Sequence, residues 1–144
     1  MYLGIIPNET IKRIKTEIKN IKKNKINQLF KSEINYALVI NQEEIRHMKK
    51  DSLTKKDIIS FINIIDYLVV KFDTVSYSLY GNQNALRFKK RINENTYIAL
   101  EVISNKYHTL RTQTLFLDKI DFEKRKKNLS PTFDELKNSP NTHP

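Results

Sequence analysis

One histidine, one strand carboxylate and a set of cations are the side chains of this chain whose types and spacing could carry out chemistry. His47 falls in the helix-like segment NQEEIRHMKK, and Glu101 lies in the alternating segment TYIALEVIS. The cations and hydroxyls lie in two further alternating segments, ALRFKKRI and YHTLRTQTLFL, as Arg87, Lys89, Arg91, Arg111, Thr112 and Thr114. Cleavage of RNA without a metal ion requires a base, donors that stabilise charge on phosphorus, and an acid. This set contains a candidate for each role, and histidine suits the proton transfers because its pKa lies near neutral pH.

Each candidate also has an ordinary structural interpretation. A lone helix histidine is more often a surface residue than a catalyst, and threonines are common in strands. Glu101 could pair with Arg87 or Lys89 across neighbouring strands, an interaction worth under about 1 kcal/mol when exposed. His108, just after a turn, fits a loop residue as well as a second proton-transfer group. Spacing alone therefore supports no more than a basic binding module. Catalysis needs further support.

The charge balance of the chain favours an anionic partner. Lysine and arginine number 26 and aspartate and glutamate 16, which gives a net charge of +10 over 144 residues. An excess of this size is typical of proteins that bind nucleic acid or another anionic surface. The alternative is the codon bias of an AT-rich genome, since the chain is rich in Lys, Ile and Asn. That bias explains lysines on helices better than it explains the alternation of Arg87, Lys89 and Arg91.

The composition predicts no cofactor, no metal site and no membrane span. The chain has no cysteine, which excludes disulfides and cysteine-ligated metals. Its three histidines are dispersed, with His143 in a terminal Pro/Asn tail, and no acidic cluster is present to hold Mg²⁺. No segment approaches the roughly 18 consecutive apolar residues of a membrane helix.

The N-terminal part predicts a basic amphipathic helix. Between Glu9 and Lys31 isoleucines recur at helical spacing, and lysines occupy the other faces. Such a helix could grip a phosphate backbone or dock to an acidic protein, or it could pack by its isoleucines with its lysines in water. We therefore separate residues 1–33, as a connector or as the helical part of the domain, from a domain at 34–119 and a basic turn and polar tail at 120–144.

Within residues 34–119 the pattern predicts an α+β domain. A short extended piece, Tyr36 to Ile40, leads to a helix capped by Asn41 and Glu44, and then to a longer helix that begins at Thr54. From Asp73 the hydrophobic period changes to two, in four segments separated by turn residues. Short connections require antiparallel pairing, so we expect helices packed on one face of a roughly four-stranded antiparallel sheet.

Five segments together carry a family resemblance. They are INYALVINQEEIRHMKK, LTKKDII, NALRFKKRI, TYIALEVIS and LRTQTLFLDK, which span roughly Ile34 to Lys119. In this order and spacing the sequence resembles the phage-associated branch of the Barnase–EndoU–colicin–RelE-like nuclease superfamily. The resemblance implies a metal-independent ribonuclease that leaves a 2′,3′-cyclic phosphate, used as a toxin module. It leaves the N-terminal helix and the tail unexplained.

The resemblance also implies roles for individual residues. His47 corresponds to the helix histidine, Lys89 or Lys90 to the basic strand position, Glu101 to the third-strand acid and Thr114 to the last-strand threonine. The remaining candidates for substrate binding are Arg87, Lys90, Arg91, Arg111, Thr112, Tyr107 and His108. Relatives commonly have a second histidine near the end of the short helix, where this chain has Ser52. Tyr107 or His108 would then have to substitute for it, or activity would be reduced.

A toxin of this kind implies particular partners and a place of action. The expected partners are RNA, with tRNA as one candidate, and an acidic immunity or antitoxin protein. The expected place is the cytoplasm of the cell in which the RNA is cut, reached on its own or within a larger toxin. The alternative hypotheses are a non-catalytic RNA- or DNA-binding module and a phage-associated domain whose basic helix docks an acidic protein.

Overall fold

The computed structural model describes residues 1–40, 43 and 55–117. His47, Ser52, the predicted caps at Asn41 and Thr54, and the tail from residue 120 lie outside the described residues. The described strands are β1 (Tyr2–Ile5), β2 (Ala37–Ile40), β3 (Thr74–Tyr80), β4 (Gln83–Ile92), β5 (Asn95–Ser104) and β6 (Thr109–Leu117). The described helices are α1 (Asn8–Glu17), α2 (Lys23–Leu29) and α3 (Lys55–Val70). None of these helices is long and apolar enough to cross a membrane.

The strands form one mixed sheet in the order β1-β2-β6-β5-β4-β3. The α+β class and the four consecutive strands β3 to β6 are confirmed, and each of these strands pairs antiparallel with the next. The predicted strand number and purely antiparallel pairing were wrong, because β2 adds parallel to β6 and β1 adds antiparallel to β2. The extended piece predicted at Tyr36 to Ile40 is confirmed as β2, but its place in the sheet was not predicted, and β1, with only four residues, shows too little alternation to be recognised.

The single helix predicted from Glu9 to Lys31 was also wrong, because the chain leaves the helix at Ile18. Ile18 is extended, and Asn20 adopts a φ of 63° before α2 begins. Between the helices, Lys19 lies against the outer edge of β3. Its amide donates to the carbonyl of Val75 at 3.0 Å, and its carbonyl accepts from the amide of Tyr77 at 2.8 Å. Unpaired groups at a sheet edge need partners, and this segment supplies them at the expense of helix continuity.

The two faces of the sheet differ in what they contact. One face, the core face, packs against the helices through Leu86 and Phe88 of β4 and Ala99 of β5, together with Ile14 of α1 and Leu68 of α3. The opposite face of β4 to β6 we call the basic face. It is defined by Arg87, Lys89, Arg91, Arg111, Thr114 and Phe116. Registers fix this assignment: Phe88 pairs with Ala99 on the core face, whereas the next residue back, Arg87, pairs with Leu100 on the basic face.

Candidate active site

A β-bulge between β5 and β6 decides which face each candidate residue occupies. Leu100 pairs with Thr114 and Glu101 pairs with Thr112, so Gln113 is an extra residue on β6. In a regular strand, residues two apart lie on the same face, and Thr112 and Thr114 would lie side by side. The extra residue breaks that alternation. Thr112 therefore lies on the core face beside Glu101, and Thr114 lies on the basic face.

Glu101 is a buried carboxyl on the core face. Neither its side chain nor that of Thr112 is exposed, and the Thr112 hydroxyl donates to Glu101 Oε1 at 2.9 Å. Glu101 Oε2 is also buried, and among the described residues it has no hydrogen-bond partner. Burial raises the pKa of the Glu101 carboxyl to about 8, and the hydrogen bond from Thr112 offsets only part of this rise. Glu101 is therefore mainly protonated at neutral pH.

Glu101 does not make the cross-strand ion pair that the sequence left open. Its partners across the strands are Leu86 and Thr112, both on the core face. Arg87 and Lys89 lie one and three positions after Leu86 along β4. Because side chains alternate between the two faces of a strand, both point to the opposite face. The sheet therefore lies between the Glu101 carboxyl and the cations of β4.

The buried carboxyl makes a prediction about stability. Below pH 4.5 Glu101 is protonated in the folded and unfolded states alike. Between pH 4.5 and about 8 the unfolded chain releases this proton while the folded chain retains it. The free energy of unfolding should therefore fall as pH rises through this window, by at most about 1.4 kcal/mol per pH unit. Glu101→Gln, which keeps a neutral side chain, should remove this part of the fall.

Urea denaturation at intervals across pH 4.5 to 8 measures this effect. Glu33→Gln is the matched control, since it makes the same chemical change at an exposed position. If the free energies of unfolding of the wild type and of Glu101→Gln change with pH in parallel, the pKa of Glu101 is not raised in the folded protein, and the prediction is wrong.

The basic face brings most of the predicted cations together. Arg87, Lys89 and Arg91 project from it at alternate positions of β4, and Arg111 projects from β6. Arg87 and Arg111 are exposed, whereas Arg91 is partly exposed and pairs with Glu94 at 2.9 Å. The Arg87 guanidinium lies 5.9 Å from the ring centre of Phe116, which is 43% exposed. Cations and an exposed aromatic ring on one sheet face are typical of surfaces that bind single-stranded nucleic acid.

Lys90 lies apart from these cations, on the core face of β4. Its ammonium contacts Asp73 Oδ1 at 2.9 Å, while Asp73 Oδ2 accepts from the backbone amide of Arg91 at 2.9 Å. Partial burial alone would raise the pKa of Asp73, but these two hydrogen bonds and the charges of Lys90 and Arg13 hold it below its usual value. Lys90 thereby ties β4 to the loop that follows α3, and its side chain is nearly buried.

Tyr107 and His108 lie together in the turn between β5 and β6 but face different surroundings. Tyr107 is 69% exposed. His108 adopts a φ of 55°, and its ring packs edge-on against Tyr36 with the ring centres 5.7 Å apart. The His108 carbonyl accepts from the amide of Ala37 at 3.0 Å and so connects the turn to the start of β2. The imidazole is thus engaged with Tyr36, while the Tyr107 ring is available at the surface.

The predicted site residues therefore separate into groups. The basic face holds Arg87, Lys89, Arg91, Arg111 and Thr114, the core face holds Glu101, Thr112 and Lys90, and Tyr107 and His108 lie at the turn. Phe116 was missed by the sequence analysis, although its spacing of two from Thr114 could have placed it on the same face. The bulge at Gln113 could not be predicted, because the sequence of β6 has no feature that marks an extra residue.

Comparisons with known proteins identify the family of the chain. The family model described as phage-Barnase-EndoU-ColicinE5/D-RelE like nuclease3 matches residues 16–128. The matched region extends further towards the N-terminus than the resemblance read from the sequence, and it includes α2 as well as the sheet from β2 onward. No curated protein and no solved structure gives a significant match. The chain belongs to the phage-associated Barnase–EndoU–colicin E5/D–RelE-like family of nucleases.

Proposed function

We propose that the protein is a metal-independent endoribonuclease that binds RNA across the basic face. Membership of a nuclease family supplies the reaction class. The observation that carries the choice of surface is the convergence of Arg87, Lys89, Arg91 and Arg111 with Thr114 on one face of the sheet. A polyanion is the substrate best matched to that surface, and a net charge of +10 favours its capture.

The proposed reaction is attack of the 2′-oxygen of RNA on the adjacent phosphorus. A base accepts the 2′-OH proton, the bond from phosphorus to the 5′-oxygen breaks, and an acid protonates the departing 5′-oxygen. The products are a 2′,3′-cyclic phosphate and a 5′-OH end. Arg87, Lys89 and Arg111 would stabilise the charge that develops on the phosphoryl oxygens, and the Thr114 hydroxyl would add a neutral donor.

His47 is the proposed proton-transfer group. The assignment rests on the family resemblance of its segment and on the match of imidazole chemistry to neutral pH. The chain enters this segment directly after Ile40, whose partner across the sheet is Thr112. Ile40 is therefore adjacent to β6, the strand that supplies Arg111 and Thr114.

We assign Glu101 a positioning role rather than a catalytic one. Its carboxyl is fully buried on the core face and accepts from Thr112 next to the bulge that turns Thr114 to the basic face. Retention of cleavage in Glu101→Gln would agree with this role. A fall of a hundredfold or more in a well-folded variant, on the order of one proton-transfer group, would instead make Glu101 catalytic.

The proposal predicts cleavage in the absence of divalent metal. Purified protein incubated with total RNA in EDTA should produce fragments that end in 2′,3′-cyclic phosphate and begin with 5′-OH. End-group analysis by phosphatase and kinase labelling distinguishes these ends from the 5′-phosphates that metal-dependent nucleases often leave. Activity that disappears in EDTA and returns with Mg²⁺ would contradict the mechanism. Salt-dependent RNA binding without any cleavage would instead support the non-catalytic binding module.

The toxin role and its acidic inhibitor belong to the same proposal. An acidic protein that covers the basic face would block the surface proposed for RNA. Its association would be steered by charge, so its on-rate should fall as salt concentration rises.

A further inference from the structure

A cleft of about 200 Å³ opens on the basic face where the β3–β4 turn and the β5–β6 turn lie at the same end of the sheet. We call it the turn cleft. It is lined by Gln83, Val102, Ser104, Tyr107, Thr109 and Arg111. Five of these residues come from three adjacent strands, so the sheet fixes their relative positions, and Tyr107 comes from the β5–β6 turn. A site built on paired strands holds its geometry better than one built on a free loop.

The lining combines an apolar floor with polar groups around it. Val102 is almost completely buried and pairs with Ala85 on one side and Arg111 on the other. Around it stand the amide of Gln83 and the hydroxyls of Ser104 and Thr109, which can both donate and accept hydrogen bonds. A few polar groups around an apolar floor are typical of pockets that orient a small ligand.

Tyr107 provides an aromatic surface at this cleft. Its ring is 69% exposed, and the Lys106 ammonium lies 5.3 Å from the ring centre. The Tyr107 amide donates to Ser104 Oγ at 3.1 Å, which fixes the turn that presents the ring. An exposed tyrosine beside cations is the side chain on which unpaired bases stack.

Arg111 is held in place at the same cleft. With the Gln113 amide oriented so that its oxygen faces Arg111, this oxygen accepts from Nε at 2.9 Å and from Nη2 at 3.0 Å. These bonds use two of the five N–H groups of the guanidinium, and the others can donate to a phosphate. The bulge residue Gln113 thus orients a cation that lines the same cleft as Tyr107.

We propose that the turn cleft is a subsite that binds one unpaired nucleotide of an RNA strand. The base stacks on Tyr107 with its polar edge towards Gln83, and its phosphate contacts Arg111. The subsite rests on the proposed function for its choice of RNA, and adds to it a position that discriminates between bases. Bases in a duplex are stacked on each other, so the subsite selects single-stranded segments.

Binding of fluorescein-labelled 2′-O-methyl oligonucleotides, each of a single base type, tests the subsite by fluorescence anisotropy. The 2′-O-methyl group blocks attack by the 2′-oxygen, so binding is measured without cleavage. Tyr107→Ala should weaken binding roughly 5- to 150-fold, the range for loss of one base stack. Tyr107→Phe should retain binding, and Gln83→Leu should reduce the differences between the four bases. Tyr2→Ala is the matched control, since Tyr2 is 62% exposed and lies at the far edge of the sheet.

The outcomes separate the subsite from the proposed function. If Tyr107→Ala binds like the wild type, or loses no more affinity than Tyr2→Ala, the subsite is wrong even if the protein cleaves RNA. If the wild type binds none of the oligonucleotides, the subsite is also wrong, and a protein ligand becomes the better occupant. If binding depends on Tyr107 while no RNA is cleaved in EDTA, the subsite stands and the ribonuclease proposal fails.

Discussion

Replacement of His47 by alanine is expected to lower the rate of RNA cleavage by a factor on the order of 10² to 10⁴. This is the usual contribution of one positioned proton-transfer group. The expected cause is loss of proton transfer at the 2′- or 5′-oxygen, so the affinity for 2′-O-methyl RNA should change little. Single-turnover cleavage with protein in excess measures the rate of the chemical step without a contribution from product release.

The control for this variant is His143→Ala, which removes another histidine to which no role is assigned. Circular dichroism and thermal unfolding establish that both variants are folded. A folded His47→Ala protein with the wild-type rate would leave the nuclease without its proposed proton-transfer group. The family assignment would stand in that case, because it rests on the match over residues 16–128 and not on this residue.

Removal of three charges from the basic face is expected to have the second large effect. Arg87→Gln, Lys89→Gln and Arg91→Gln together should weaken binding of single-stranded RNA and make it less sensitive to salt. Each phosphate contact that is lost removes roughly 0.7 from the slope of log affinity against log salt concentration, so three contacts remove roughly 2. A titration of labelled oligonucleotide at several salt concentrations measures both quantities.

The matched control removes three charges from the N-terminal helical region, residues 8–29. Lys12→Gln, Lys22→Gln and Lys23→Gln change the net charge by the same amount at exposed positions. If RNA uses the basic face, the control should lose much less of the slope. Equal losses from the two variants would mean that the +10 charge acts as a whole, and the proposed binding face would have to be abandoned.

The sequence predicted what depends on local patterns. The alternation in ALRFKKRI and TYIALEVIS assigned Arg87 and Glu101 to faces of their own strands, and the turn residues separated β3 to β6 correctly. Which face of β5 lies on the same side of the sheet as Arg87 depends on the pairing register of the two strands. Sequence periodicity does not determine that register. Leu86, and not Arg87, pairs with Glu101, and this one-residue difference puts the carboxyl into the core.

The remaining differences come from contacts between distant parts of the chain. The Ile-rich segment from Glu9 to Lys31 has a helical period throughout, but its first helix ends just before Lys19, whose backbone pairs with β3. Thr114 leaves the face of Thr112 only because of the bulge at Gln113. In both places the regular local pattern is interrupted where two strands or segments pair. Such an interruption cannot be predicted from the sequence of either segment alone.

The contact of Lys19 with β3 also bears on self-association. β3 is the last strand of the sheet, and a bare terminal strand offers its amides and carbonyls to any other extended chain, which is a route to aggregation. Here the carbonyl of Val75 and the amide of Tyr77 are already occupied by Lys19 of the same chain. The segment between α1 and α2 thus covers this part of the β3 edge, and the break in the helix leaves these two backbone groups unable to pair with a second chain.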